Sequence, residues 1–203
     1  MEEGLRTILR TDPDLVLVGE VRDRASAEIA GRAALAGRLV LATIHALDAA
    51  TAIQAMHYLS VPYYVLGSGL RLVLAQNLVR RVCPRCSQPE APTADEEQLF
   101  RGNGLAVPEE MPRPRGCAHC GGDGYCGLVG VFEVAPVSEE AVSVVSRGAG
   151  RTEIVRVLRK AGAQPVFVDA LRKVSAGITS VDEALRLRSR SSGTTDAPGG
   201  NAD

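Results

Sequence analysis

The chain has 203 residues, a formal net charge of −1 at pH 7 and only 3% aromatic residues, with no tryptophan. This length is enough for one or two domains with a hydrophobic core. The near-neutral charge and scarce aromatic residues argue against a nucleic-acid-binding surface. No apolar run reaches the roughly 20 residues of a membrane span, and the first residues lack a signal-peptide pattern. We therefore expect a cytoplasmic protein.

The beginning of the chain predicts a short helix followed by a strand. Leu5, Ile8 and Leu9 have helical spacing, so residues 4–11 are expected to form a helix. The sequence D-P-D-L-V-L-V-G-E-V-R-D follows. Its continuous apolar run, residues 15–18, is typical of a parallel strand that is buried on both faces.

A helix and a second strand are predicted next. Asp23 is expected to cap a helix that ends near Gly37, and the apolar run at residues 39–44 predicts another strand. A right-handed crossover places the carboxyl ends of both strands at one edge of the sheet. Glu20 follows the first strand and His45 follows the second. We expect these two side chains to face one crevice, where α/β sheets bind their ligands.

A carboxylate and an imidazole at one sheet edge suit phosphate chemistry. The carboxylate can orient a water molecule or the Mg²⁺ shell, and the imidazole can sense phosphate. The alternative interpretation is that Glu20 is a solvated loop residue and His45 a surface histidine. Their matching positions at the ends of neighbouring strands favour the functional interpretation.

Two more helices and a strand pair are predicted around the cysteines. Asp48 is expected to cap one helix, and Pro62 to begin another that runs to about Leu72. Residues 73–82 alternate as a strand. We expect this strand to pair with a second one at residues 127–134.

The cysteines form two C-x₂-C pairs, Cys83-Pro-Arg-Cys86 and Cys117-Ala-His-Cys120. Four thiolates with this spacing can close a tetrahedral structural zinc site. Disulfides are the alternative, although paired C-x₂-C spacing in a cytosolic chain favours metal. A thioredoxin-like role is disfavoured, because it needs one such pair and this chain has two. Haem attachment is disfavoured as well, because it needs a histidine after the second cysteine and Gly121 follows Cys120. Cys126 is left over and is expected to be a free thiol.

The segment between the pairs is rich in proline and is expected to hold one helical turn, near residues 96–100. Beyond it, apolar stripes predict helices that end at Gly162 and Gly177. A capping box that begins at Ser180 predicts a last helix to about Leu187.

Residues 189–203 are polar and glycine-rich. A segment of this composition cannot bury enough apolar surface to fold. We expect it to be a disordered tail.

Several of these motifs resemble one family. D-P-D-L-V-L-V-G-E-V-R-D resembles the Walker B region, and L-A-T-I-H-A-L-D-A-A the histidine box, of the secretion traffic ATPases. These are the hexameric motors of type II secretion and type IV pilus assembly. G-L-R-T-I-L-R resembles the helix before Walker B, and G-D-G-Y-C-G-L-V-G-V-F-E-V the sequence after the metal site. The resemblance covers about residues 4–188.

The resemblance implies an α/β fold, namely the C-terminal part of a RecA-like P-loop NTPase domain with an inserted tetracysteine zinc module and a C-terminal helical subdomain. The expected division gives residues 1–82 to the ATPase core and 83–126 to the zinc module. Residues 127–188 would form a strand plus the helical subdomain, and residues 189–203 the tail.

The resemblance also implies roles for individual residues. Glu20 would be the Walker B glutamate that acts on water and Mg²⁺, Arg22 would support the phosphate site, and His45 would couple the nucleotide state to domain movement. Glu20 and His45 would thus contact ATP and Mg²⁺ in the complete motor. The zinc ligands would be Cys83, Cys86, Cys117 and Cys120. The implied partners are a homo-hexamer and inner-membrane platform proteins, which would hold the chain peripherally at that membrane, and no nucleic acid.

The sequence departs from the family pattern in three places. It contains no Gly-Lys pair and therefore no P-loop signature G-x-x-x-x-G-K-[ST]. Ala46 and Leu47 replace a polar pair, and Asn77 replaces a basic residue. The chain resembles the C-terminal portion of a motor, which by itself is expected to be inactive without a complementing P-loop-bearing half. Two alternatives are a non-catalytic truncated paralogue that acts as a zinc-stabilised binding module and a zinc-ribbon nucleic-acid binder, which the charge and composition disfavour.

Overall fold

The computed structural model describes residues 13–192. The helix predicted for residues 4–11 lies outside this range, as does the tail from residue 193 onwards. The described residues form two compact units of mixed α/β structure. One combines the residues up to Ala75 with Glu133–Gln164, and the other combines Gln76–Phe132 with the residues from Pro165 on.

The strands in chain order are β1 (Leu15–Val18), β2 (Leu39–Ala42), β3 (Leu72–Val82), β4 (Gln88–Glu90), β5 (Met111–Arg113) and β6 (Tyr125–Pro136). The helices are α1 (Arg24–Leu35), α2 (Ala49–Tyr58), α3 (Tyr63–Gly69), α4 (Ala94–Gly102), α5 (Glu139–Ser146), α6 (Arg151–Lys160), α7 (Val166–Ser175) and α8 (Val181–Ser192). None of these helices is both long and apolar enough to cross a bilayer.

The predicted strand–helix–strand unit is confirmed. β1 and β2 pair in parallel, so that Leu15 lies opposite Leu39 and Val18 opposite Ala42. α1 connects them, and its N-cap is Asp23, whose carboxylate accepts a hydrogen bond from the backbone N–H of Ser26 at 2.8 Å. β2 ends two residues earlier than the apolar run suggested.

The prediction that β1 is buried on both faces is wrong. Val16 and Val18 are buried, but Leu15 and Leu17 are 50% and 68% exposed. The exposed residues of both strands make one apolar surface, here named the leucine face, formed by Leu15, Leu17, Leu39 and Leu41. Among the described residues, β1 and β2 pair only with each other, and only one face of this two-stranded sheet is covered. The apolar residues on the other face therefore remain exposed.

The buried face of this sheet belongs to the core of the first unit. Val16 and Val18 share that core with Ile53 of α2 and with Ile154 and Leu158 of α6. α5 packs against α3 and α6. The sequence analysis did not predict α5, which begins after Ser138, whose hydroxyl caps the helix by accepting from the N–H of Ala141 at 3.3 Å.

The predicted pairing around the cysteine segment is confirmed, because β3 pairs with β6. Backbone hydrogen bonds mark both ends of this pair: Val137 N–H donates to the carbonyl of Arg71 at 3.0 Å, and Cys83 N–H donates to Gly124 at 2.8 Å. The two strands therefore run in opposite directions, and the cysteine segment elaborates the hairpin that joins them.

Predicted boundaries also differ from the structure in β6, which extends two residues beyond 127–134 at each end, and in three helices. α3 ends at Gly69 because Leu70 already has an extended backbone, with φ −72° and ψ 135°. The single turn expected near residues 96–100 is the longer helix α4, which a capping box between Thr93 and Glu96 begins. Residues 189–192, expected in the tail, belong to α8. Residues 189–192 contain no helix-breaking glycine or proline, and the first such residue after them is Gly193. The helix can therefore continue through them.

Arg80 of β3 contacts three side chains from other parts of the second unit. Its Nη2 donates to Oε1 of Glu183 at 2.8 Å, and its Nη1 donates to Asp123 at 3.1 Å. The guanidinium lies 3.9 Å from the ring centroid of Tyr125. Glu183 is only 6% exposed. Burial raises the pKa of Glu183, but the hydrogen bonds from Arg80 outweigh it and leave the pKa below its usual range.

We predict that Arg80→Met destabilises the protein by about 2 kcal/mol, because it removes the two side-chain hydrogen bonds that Arg80 donates to the buried carboxylate of Glu183, which keeps its contact with Arg186. The control is Arg81→Met, which changes an exposed neighbour on the same strand and should alter stability little. Urea unfolding monitored by circular dichroism measures the difference. Equal unfolding midpoints for the two variants would contradict the role given to Arg80.

Candidate functional site

The predicted meeting of Glu20 and His45 occurs at the carboxyl ends of β1 and β2. Nε2 of His45 lies 2.9 Å from Oε1 of Glu20. The two strand ends are joined beyond the sheet, because the N–H of Val21 donates to the carbonyl of Thr43 at 2.8 Å. The hydroxyl of Thr43 also donates to the carbonyl of Gly19 at 2.5 Å. Parallel pairing therefore brings together two residues that are 25 positions apart in the sequence.

Arg22 completes this group of charges. Its Nη2 lies 2.5 Å from Oε2 of Glu20. The hydrogen bond from Arg22 lowers the pKa of Glu20, the positive charges of Arg22 and His45 add to this effect, and burial opposes it. Glu20 is therefore ionised at neutral pH.

One oxygen of Glu20 retains its capacity to bind another group. Oε1 is shielded from solvent and makes no hydrogen bond, since the close approach of His45 lacks hydrogen-bond geometry. The side chain of His45 is 93% exposed. Exposed ion pairs of this kind contribute little to stability, so a ligand could separate His45 from Glu20 easily.

These three side chains fit the chemistry of a magnesium-bound phosphate. A shielded carboxylate oxygen without a hydrogen bond can accept a proton from water or bond to the hydration shell of Mg²⁺. An exposed guanidinium and imidazole beside it can contact anionic oxygens. The group could thus hold and polarise a water molecule next to a phosphate.

The four cysteines of the two C-x₂-C pairs meet in the second unit. The sulfur atoms of Cys83, Cys86, Cys117 and Cys120 all lie within 4.8 Å of one another. The distance between Cys83 Sγ and Cys117 Sγ is 4.0 Å, and that between Cys86 Sγ and Cys120 Sγ is 3.8 Å. Tetrahedral Zn–S bonds of about 2.3 Å place sulfur atoms about 3.8 Å apart. The cluster therefore has the dimensions of a zinc site, and none of its cysteines is in a disulfide.

The backbone of the second pair is shaped for this cluster. Gly116 has φ +94°, and a Cβ there would lie 2.4 Å from the carbonyl oxygen of Gly122, so only glycine fits. The N–H groups of Cys117 and Gly124 both donate to Sγ of Cys120 at 3.2 Å. Burial raises the pKa of Cys120, but these hydrogen bonds outweigh it and lower the pKa to about 6. The two backbone N–H groups thus favour the thiolate form of Cys120, which is the form that binds a metal.

Cys126 lies outside the cluster. It is exposed, and its Sγ is 3.9 Å from Nε2 of His119. The leftover cysteine of the sequence is accordingly not one of the four clustered sulfur ligands.

The sequence analysis missed two residues that act on the loop of His45. Glu133 of β6 and Arg151 of α6 both contact the start of α2, the helix that follows this loop. One signal was available for Glu133: it is a charged residue inside the otherwise apolar strand L-V-G-V-F-E-V. Nothing local in the sequence marks Arg151.

Comparisons with known proteins agree on one family. The family described as Type II/IV secretion system protein matches residues 1–186. The chain is 40% identical over 184 residues to the type II secretion system protein E of Aeromonas hydrophila, and 36% identical over 186 residues to the type IV pilus assembly ATPase TfpB of Acinetobacter baylyi. Each alignment includes 91% of this chain, but only 36% and 32% of the respective relatives. The chain thus spans about a third of the length of these relatives.

A solved structure supports the fold alone. The ATPase DotB of Legionella pneumophila superposes with a TM-score of 0.63 at 21% identity, over 93% of this chain and 42% of DotB. The mixed α/β arrangement of the chain is therefore similar to that of a part of the DotB fold.

We predict that the purified chain contains close to one zinc ion, because its thiolates already have tetrahedral spacing. Cys83→Ser and Cys117→Ser should each remove the metal and increase amide hydrogen exchange across residues 83–126. Cys126→Ser, the matched control, should retain it. Elemental analysis with hydrogen-exchange mass spectrometry measures both effects. A Cys83→Ser/Cys117→Ser double variant that retains zinc would contradict the assignment.

Proposed function

Because the chain belongs to the type II/IV secretion system protein family, we propose that it is the C-terminal portion of a motor ATPase that couples ATP hydrolysis to protein secretion or pilus assembly. The observation that carries the proposal is the 2.9 Å contact between Glu20 and His45 at the ends of two parallel strands. This sheet edge is where α/β folds bind ligands. The sequence motifs that contain Glu20 and His45 and the geometry of their side chains thus indicate the same site.

We assign each charged residue one task at this site. Glu20 orients a water molecule and accepts its proton, through the shielded oxygen that makes no hydrogen bond. Arg22 supplies positive charge beside the phosphate, and the exposed imidazole of His45 responds to the nucleotide state. Mg²⁺·ATP, when bound, supplies the phosphoanhydride bond that is hydrolysed.

The leucine face supports the proposal that further polypeptide completes the site. Leu15, Leu17, Leu39 and Leu41 form an apolar surface that no element within residues 13–192 covers. The relatives are about three times as long as the matched region. A RecA-like, P-loop-bearing portion packed on this face would bring its phosphate-binding lysine to the Glu20 edge. These 203 residues, which contain no Gly-Lys pair, would not turn over ATP alone.

The remaining assignments follow from the same proposal. The four clustered cysteines would hold a structural Zn²⁺ that closes the β3–β6 hairpin segment. The working form would be a homo-hexamer in the cytoplasm, attached peripherally to the inner membrane through platform proteins.

A second candidate function is a zinc-stabilised binding module without catalysis. One observation favours it: Ala46 and Leu47 are apolar residues that directly follow His45 in the sequence. Such a module would bind the same P-loop-bearing partner but would not restore turnover.

We predict that mixing the chain with the portion of the Aeromonas hydrophila relative that it does not match produces weak ATPase activity, whereas the chain alone produces none. Glu20→Gln should reduce this activity by a factor of at least about 100, because an amide cannot accept the proton of water. His45→Ala should reduce it less, by about tenfold, because the imidazole couples the nucleotide state to the protein and does not accept the proton of water. Phosphate release at saturating ATP measures all three.

Glu97→Gln is the control, since it neutralises a half-buried glutamate of α4 that pairs with Arg101 and belongs to the other unit. Activity that is indifferent to both Glu20→Gln and His45→Ala would refute the motor proposal. Binding without turnover would favour the binding module.

A further inference from the structure

A buried carboxylate contacts the helix that follows the His45 loop. Glu133 of β6 is 6% exposed, and its Oε2 accepts a hydrogen bond from the N–H of Ala49 at 3.1 Å. Ala49 is the first residue of α2. Burying an ionisable group in a strand is unfavourable unless it is well paired, and burial indeed raises the pKa of Glu133.

A second carboxylate meets the same helix end. Asp48 is the N-cap of α2 and accepts from the N–H of Thr51 at 2.7 Å, while its other oxygen pairs with Arg151 of α6. The positive end of the helix dipole favours both negative groups. Arg151 and Arg159 also attract Glu133, whereas Asp48 repels it. The beginning of α2 is thus held by β6 and α6, which are more than 80 residues away in the sequence.

His45 stands between this cluster and the strand ends. Only residues 44–47 separate Thr43 from Asp48. Thr43 is held on one side by Val21 and Gly19, and Asp48 and Ala49 are held on the other. The position of His45 therefore depends on both attachments of a four-residue loop.

We propose that Glu133 is a positioning residue that places His45 beside Glu20. The proposal rests on the function assigned to His45 above. Asp48 alone suffices to cap α2, so Glu133 is not needed for the helix to form. Its contact instead joins the helix to β6 and determines where the preceding loop ends.

The first experiment uses NMR of the chain itself and needs no activity. Glu133→Leu should raise the amide exchange rate of Ala49 about fivefold, because it removes one hydrogen bond. Glu133→Gln should not, because its amide oxygen can still accept. The amide of Ala27 in α1 is the internal control, since its bond to Asp23 is unaffected.

The second measurement follows the imidazole resonances of His45. In the otherwise unchanged chain, Glu20→Gln should shift them, because the two side chains are in contact. In the Glu133→Leu background the same substitution should shift them much less, since His45 no longer stands beside residue 20. The Glu133→Gln background should restore the shift. An undiminished shift in Glu133→Leu, or no shift in the unchanged chain, overturns the proposal.

The third measurement is a double-mutant cycle in the mixed ATPase. Glu133→Leu should lower kcat, and His45→Ala combined with it should be no worse than His45→Ala alone. A merely structural role would instead multiply the two losses, and that result would overturn the proposal. If His45→Ala has no effect on kcat, the role assigned to His45 in the proposed function fails, whereas the resonance experiment still decides whether Glu133 positions His45.

Discussion

The parallel pairing of β1 with β2 is the constraint on which the candidate site depends. Because both strands point the same way, the residues that follow them meet at one edge, although α1 separates them in the sequence. Glu20 and His45 would be unrelated surface residues in an antiparallel arrangement. The hydrogen bonds of Thr43 to Gly19 and Val21 extend this pairing beyond the sheet and determine how closely the two side chains approach.

The chemistry of this sheet edge follows from the contacts of Glu20. Glu20 is ionised because Arg22 and His45 are close, yet one of its shielded oxygens has no hydrogen bond. The leucine face is likewise incompletely packed, because its apolar residues are exposed to solvent. Both features have a common explanation if further polypeptide and a phosphate ligand complete this side of the sheet. The tetracysteine cluster, by contrast, needs only its metal.

The local features were the most predictable from sequence. The helix caps Asp23 and Asp48 and the spacing of the cysteines depend on residues within a few positions of each other, and the structure confirms them. The burial of β1 was not predictable, because an apolar run looks the same whether its second face is covered or open. The contact from Glu133 to Ala49 joins residues 84 positions apart, and no periodicity reports such a pairing.

We propose that this sheet edge is one half of a composite nucleotide site. The most direct test is amide exchange of β1 and β2, measured with and without the portion of the Aeromonas hydrophila relative that the chain does not match. The account predicts slower exchange in both strands on mixing, and no change for a Leu17→Glu/Leu41→Glu variant whose leucine face cannot bind an apolar surface. Binding that leaves the exchange of β1 and β2 unchanged would contradict the account.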